Sequence, residues 1–290
     1  MTADTASPGL IGHSSAEGPK IDRFQVYGER RSGTNFVART LARNSGLKRF
    51  SSYGWKHALP YFPILPKCCL FVVVVREPFD WLRSFYAGPF EVDPDIAKLP
   101  FSDFLRAEWE GSYTGFSEQW AYRGYAVKNR FATGEPNFLD RHPLTGRRFA
   151  NVCEMRSVKL AGHLSLLDRG LNAVAVRYED FRADPEAMLA AIADATGISL
   201  AKTFAPTDKP VGPSSDARSE AKTAPISEVD RSFILQNLDP APEQRCGYLM
   251  DTAPISQSKA SPPDRARPGP AKTTAPRKPA KSKATAKPSA

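Results

Sequence analysis

Cysteine is scarce in this chain, and no apolar run is long. The four cysteines among 290 residues are Cys68, Cys69, Cys153 and Cys246. Two are adjacent and cannot easily close on each other, and none shows a Cys-x-x-Cys spacing. This argues against a disulfide framework, a structural zinc site or a redox motif, and a reducing compartment is expected. The longest strongly apolar run, Cys68 to Val75, falls far short of the ~20 residues that a transmembrane helix needs. The first twenty residues lack a charged start followed by an apolar stretch and a small-residue cleavage site. No secretory signal is visible, and a cytoplasmic protein is expected.

What is present is unevenly spread. The residues AVILMFWYC make up 41% of the chain, enough for a sizeable core, while 26 prolines and 24% charged residues place part of it outside that core. Residues 251–290 carry nine Lys or Arg against Asp251 and Asp264. That net of +7 leaves only +2 of the total +9 for the rest. The tail has eight prolines, nine alanines and no aromatic residue. Such a composition cannot offset its ordering entropy, so a disordered basic tail is expected; it could touch acidic surfaces by charge attraction but offers no ring for base stacking. Residues 1–19, small, polar and aperiodic, are also expected to be disordered. A single domain over residues 20–250 remains.

Within it the pattern alternates strand and helix. Phe24 to Tyr27 reads as a short strand ending at Gly28, and Thr34 to Arg43 as a helix with Phe36, Val37, Thr40 and Leu41 on one face. Leu70 to Val75 is the continuous β-branched run of a parallel strand covered on both faces, followed by a helix over Glu77 to Phe85. Ala173 to Tyr178 reads as a third strand. Asp184 and Pro185 then supply an N-cap and first helical residue, and Gly197 a stop. Helices are expected over Phe101–Glu110, Phe116–Phe131 and Val152–Leu167. Repeated βα units predict a three-layer α/β/α domain with a mostly parallel central sheet.

The run Gly28-Glu29-Arg30-Arg31-Ser32-Gly33-Thr34 has two glycines at P-loop spacing where a strand turns into a helix. Backbone N–H groups and the positive end of the helix dipole converge on an anion at such a turn. A nucleoside triphosphatase would carry Lys and then Ser or Thr after Gly33; here stand Thr34 and Asn35, and the cations lie upstream at Arg30 and Arg31. The next long strand ends in Arg76 where a magnesium-binding Asp would stand. An arginine there repels a metal and attracts a second phosphate. The combination suits a nucleotide with phosphates at both ends of its ribose, handled without metal.

These residues resemble the sulfotransferase family. YGERRSGTNF is similar to its 5′-phosphosulfate loop, and REPFDWLRS, with Arg76 and Ser84 eight residues apart, to its 3′-phosphate motif. WKHALP, Trp55 to Pro60, is similar to the segment that bears the family's catalytic histidine. RYEDFRADPEAML, Arg177 to Leu189, and CGYL, Cys246 to Leu249, resemble segments nearer its C-terminal end. The resemblance spans residues 23–250 and implies a P-loop-NTPase-like sulfotransferase fold with 3′-phosphoadenosine 5′-phosphosulfate as donor and no metal. It places Arg30, Arg31, Ser32, Gly33, Thr34 and Asn35 at the phosphosulfate, Arg76 and Ser84 at the 3′-phosphate, and His57 as base, with Glu29 behind it. Arg31 would neutralise the leaving oxygen.

There are departures. Arg31 takes a place that is Lys in the cytosolic branch, Lys56 stands one residue before His57 where that branch has two, and the Arg-Lys-Gly triplet that completes its 3′-phosphate site is missing. Lys209, Arg218 and Lys222 are candidates to replace the triplet. The acceptor, a hydroxyl or amine on a glycan, lipid or small molecule, is not legible. Two rival readings are a P-loop kinase or nucleotidase acting on ATP, and a non-catalytic anion or nucleic-acid binder using the tail.

Overall fold

A computed structural model describes residues 9–113, 134–207 and 225–248. Five strands form its sheet: β1 (Leu10–Ser14), β2 (Arg23–Tyr27), β3 (Lys48–Arg49), β4 (Cys69–Val75) and β5 (Asn172–Arg177). They lie in the order β1-β5-β4-β2-β3, with β1 antiparallel to β5 and every other pair parallel. From β2 the chain crosses to β3 on one side and then to β4 on the other. The order therefore reverses between β2 and β4, and the crevice at their C-terminal ends is where open α/β sheets place ligands.

The alternation of β4 shows why its sequence is apolar throughout. Leu70, Val72 and Val74 face a core shared with Phe24, Val26, Val174 and Val176, whereas Cys69, Phe71, Val73 and Val75 face one shared with Tyr27, Ala173 and Ala175. On the first face pack α1 (Thr34–Asn44), α6 (Tyr178–Ala183) and α7 (Pro185–Thr196), through Val37, Leu41, Phe181, Leu189 and Ile192. On the second packs α5 (Val152–Leu164), through Leu160 and Leu164. A further apolar cluster joins α5 to α2 (Pro78–Ala87), α4 (Phe101–Arg106) and α8 (Glu228–Asn237) around Trp81, Phe85, Phe104 and Trp109. Short helices α3 (Pro94–Lys98) and α9 (Pro240–Arg245) are the remaining α-helices among the described residues.

Local chemistry sets the helix ends. Glu77 caps α2 by accepting from the Asp80 N–H at 2.6 Å, with Pro78 at the first position. Asp184 caps α7 by accepting from the Ala187 N–H at 3.0 Å, and Gly197 ends it in the left-handed conformation at φ 70°.

Several expectations need correction. Residues 10–14 are not structureless: they form β1, because the outer edge of β5 offers backbone partners and Leu10 buries against the first core. The helix expected to reach Glu110 stops at Arg106. Trp109 then donates its N–H to the Phe149 carbonyl at 2.8 Å and buries its ring in the helical cluster. The helix expected to end at Leu167 is α-helical to Leu164 and tightens into a 3₁₀ turn over Ser165–Asp168. Tyr178, expected to end a strand, opens α6. The Phe116–Phe131 helix, Trp120, Lys209, Arg218, Lys222 and the 251–290 tail lie outside the described residues. Among the described residues no helix is long and apolar enough to cross a membrane.

Candidate functional site

The loop after β2 is held in a demanding conformation. Arg31 has φ 67° and Gly33 φ 85°, and a Cβ on Gly33 would overlap the Tyr178 ring. A non-glycine residue in the left-handed region is uncommon and marks strain that the surroundings must overcome. Gly28 is needed for another reason: a Cβ there would run into the Val74 carbonyl, so only glycine lets β2 leave the sheet this close to β4.

The loop feeds α1 without a cap. Gly33 has no side chain to cap with, and no acid stands in the first turn. The N–H groups of Gly33, Thr34 and Asn35 point out of the helix start, with no protein acceptor among the described residues. Beside them the Lys56 ammonium donates to Asn35 Oδ1 at 2.5 Å, and burial, then the charge of Arg49, lower it to about 7. Sequence reasoning left Lys56 out of the site; only the fold reveals that it stands at the helix start.

Two arginines complete this face. Arg31 Nε donates to Ser84 Oγ at 3.4 Å, and Arg76 Nη1 donates to the Arg31 carbonyl at 3.1 Å. Neither has a carboxylate partner among the described residues, and Arg76 Nε is buried without an acceptor. Burial and then the neighbouring Arg76 charge lower the Arg31 guanidinium. The Arg76 guanidinium lies 5.2 Å over the Tyr178 ring. Its backbone is pinned as well, because the buried Arg156, paired with Glu243 at 2.6 and 2.9 Å, donates to the Arg76 carbonyl at 2.8 Å. Glu179 accepts from the Glu77 N–H at 3.1 Å and the Tyr248 hydroxyl at 3.0 Å, so the segments 177–189 and 246–248 converge on the same strand ends.

Arg30, grouped with Arg31 by sequence, goes elsewhere. Its guanidinium is buried and bound to Asp140 at 2.6 Å, to Glu29 at 3.1 Å and to the Glu91 carbonyl at 2.9 Å, and it lies against the Phe85 ring. Its N–H donates to Glu29 Oε1 at 2.7 Å, so neither its backbone nor its side chain is left for a ligand. Lys159 joins the group through Glu29 at 3.2 Å and Asp140, making a buried quartet of two acids and two bases. Burial alone would raise the Asp140 carboxyl, but Arg30 and Lys159 outweigh it and hold it below its ordinary value. Asp140 and Lys159 carried no sequence signal, being far from the loop along the chain.

His57 stands between the quartet and the loop. Its Nδ1 is 2.6 Å from the Gly28 carbonyl. A carbonyl only accepts, so Nδ1 carries the proton and Nε2 keeps its lone pair. Burial, then the charge of Lys56, push the imidazole well below its ordinary value, so it is neutral near pH 7. The structure thus brings together Arg31, Ser32, Gly33, Thr34, Asn35, Arg76, Ser84 and His57 around the switch point and turns Arg30 away. A cavity of about 510 Å³, lined by residues such as Lys20, Lys48, Asn172 and Gly197, opens at the other end of the strands and shares no residue with this group.

Among the described residues no three His, Cys, Asp or Glu side chains are grouped to hold a metal. No family model matches the chain, and no curated protein matches it.

Proposed function

We propose that the protein transfers a sulfuryl group from 3′-phosphoadenosine 5′-phosphosulfate to a hydroxyl or amine, on a P-loop-NTPase-like sulfotransferase fold. One observation carries this reading: Arg31 and Arg76 stand at the C-terminal ends of adjacent strands, linked through Ser84 and the loop backbone, and neither is ion-paired with a carboxylate among the described residues. Two uncompensated cations beside an uncapped helix start suit a ligand with two separated anionic groups. The α1 amides, Lys56 and Arg31 would hold the phosphosulfate end and offset charge growing on the bridging oxygen. Arg76 and Ser84 would hold the 3′-phosphate. His57 Nε2 would take the acceptor's proton as the acceptor bonds to sulfur and the bond from sulfur to the bridging oxygen breaks, releasing 3′,5′-adenosine bisphosphate. The four free cysteines fit a reducing, cytoplasmic setting.

Calorimetry with 3′,5′-adenosine bisphosphate and with ATP, each with and without magnesium, tests the reading. The bisphosphate should bind without metal, and ATP ~10-fold or more weakly, a difference of ~1.4 kcal/mol. Magnesium-dependent preference for ATP would favour a kinase or nucleotidase. Binding of neither would leave an anion binder that works through its tail.

A further inference from the structure

We propose that Lys159, with Glu29 as its second anchor, is a positioning residue that fixes His57 against the anion loop. The proposal rests on His57 being the base of the reaction above.

The contacts form a closed circuit. The Gly28 carbonyl accepts from the His57 ring at 2.6 Å. Lys159 Nζ donates to the His57 backbone carbonyl at 2.9 Å and pairs with Glu29 at 3.2 Å. Gly28 and Glu29 are consecutive, so the loop grips His57 twice, by its ring and, through Lys159, by its peptide. Asp140 holds the same ammonium from the far side and is itself fixed by Arg30 and by the Trp109 Nε1–H at 3.1 Å. Gly111 leaves the room, for a Cβ there would overlap the Asp140 carboxylate.

Stability alone does not account for this arrangement. A buried set of paired charges is often no better for stability than apolar side chains of the same volume. Charge balance would be met if Lys159 touched only the two acids. Its donation to the His57 carbonyl is additional, and it places a group that must lie within hydrogen-bond reach of the acceptor. It also makes Glu29, the alternative base on sequence grounds, an anchor for the histidine.

Nitrogen-15 NMR of the full chain labelled at its four histidines, His13, His57, His142 and His163, tests this directly. The charges acting on the His57 ring are Lys56, Arg30 and Lys159. In the wild type His57 should show the single Nδ1–H tautomer. In Lys159→Met it should show both tautomers and titrate at higher pH, with the His13 and His142 signals unmoved, and Lys159→Arg should restore much of the wild-type pattern. A folded Lys159→Met protein whose His57 keeps one tautomer and its titration overturns the proposal. If Lys159→Met fails to fold, Glu29→Gln takes its place, keeping shape and leaving Asp140 to hold the ammonium. Loss of the single Nδ1–H tautomer is again expected, without the rise in titration because an anion rather than a cation is removed, and a His57 that keeps one tautomer overturns the proposal. In turnover, kcat should fall ~10²-fold with bisphosphate affinity unchanged, because small misplacement of a reacting group costs that much. A wild-type protein that binds no bisphosphate defeats the sulfotransferase reading, while the NMR outcome still decides the role of Lys159.

Discussion

Arg30 lies among two carboxylates, a lysine and the Phe85 ring, whereas the guanidinium of Arg31, one residue on, stands 3.4 Å from Ser84 with Arg76 beside it and no ion-paired acid among the described residues. The quartet around Arg30 is buried, and each of its charges is paired. The pair of Arg31 and Arg76 leaves its charge unbalanced. Buried charges persist where they are paired, so the proposed function places its anion at the unpaired cluster beside free backbone donors. The two regions share a loop, and their charge balance is what sets the framework apart from the proposed binding surface.

The sharpest way to break this comparison is to exchange the arginines' fates. Arg30→Met should cost ~3–5 kcal/mol in a urea melt, because it leaves buried acids uncompensated, while Arg31→Met should stay within ~0.5 kcal/mol of wild type. Equal losses would mean that the two regions do not differ in kind. Acid should separate them as well. The Asp140 carboxyl is held below its ordinary value of 3.8, so its contribution is complete above that value and is lost as pH falls through the lower folded one. Arg31→Met should leave that acid limb unchanged.

His57→Ala comes next in size: kcat should drop ~10²-fold or more with bisphosphate affinity held, since the lost interaction acts only as the acceptor's proton departs. Turnover at the wild-type rate would move the base elsewhere. Arg76→Ala should weaken bisphosphate binding by ~1.5–3 kcal/mol, the worth of a charge-assisted hydrogen bond, and leave the melt almost unchanged. A mutant that still prefers the bisphosphate over ATP as strongly as wild type would remove Arg76 from the site.

The smallest effect concerns Lys56, whose ammonium is lowered to about 7. A bound anion favours the charged form and raises it. Binding measured near pH 8 in buffers of different ionisation enthalpy should therefore show uptake of a fraction of a proton, and the Lys56→Met variant should show none.

The sequence carried the loop because its signals are local: Gly28 and Gly33 at fixed spacing, a strand before and a helix after. It carried β4 and its arginine for the same reason. It could not separate Arg30 from Arg31, since their difference depends on Asp140, which lies 110 residues downstream, and on Lys159. Nor could it find β1, a strand of only five residues whose stability comes from an edge formed near the other end of the domain. Lys56 was visible as a residue, but its place at the start of α1 is a product of the crossover between β3 and β4.

The pairing of Leu10 with Val176 also dictates an order of events during synthesis. Of the described strands, the earliest in the chain pairs with the latest. At ~5–20 residues per second, a ribosome takes roughly 8–33 s to travel from one to the other. Through that interval β2, β3 and β4 can already pair, and α1 can already cover them. The opening segment has no edge to join until β5 emerges. Its docking completes the sheet on the side away from β3, so closure of the domain is timed by its C-terminal half.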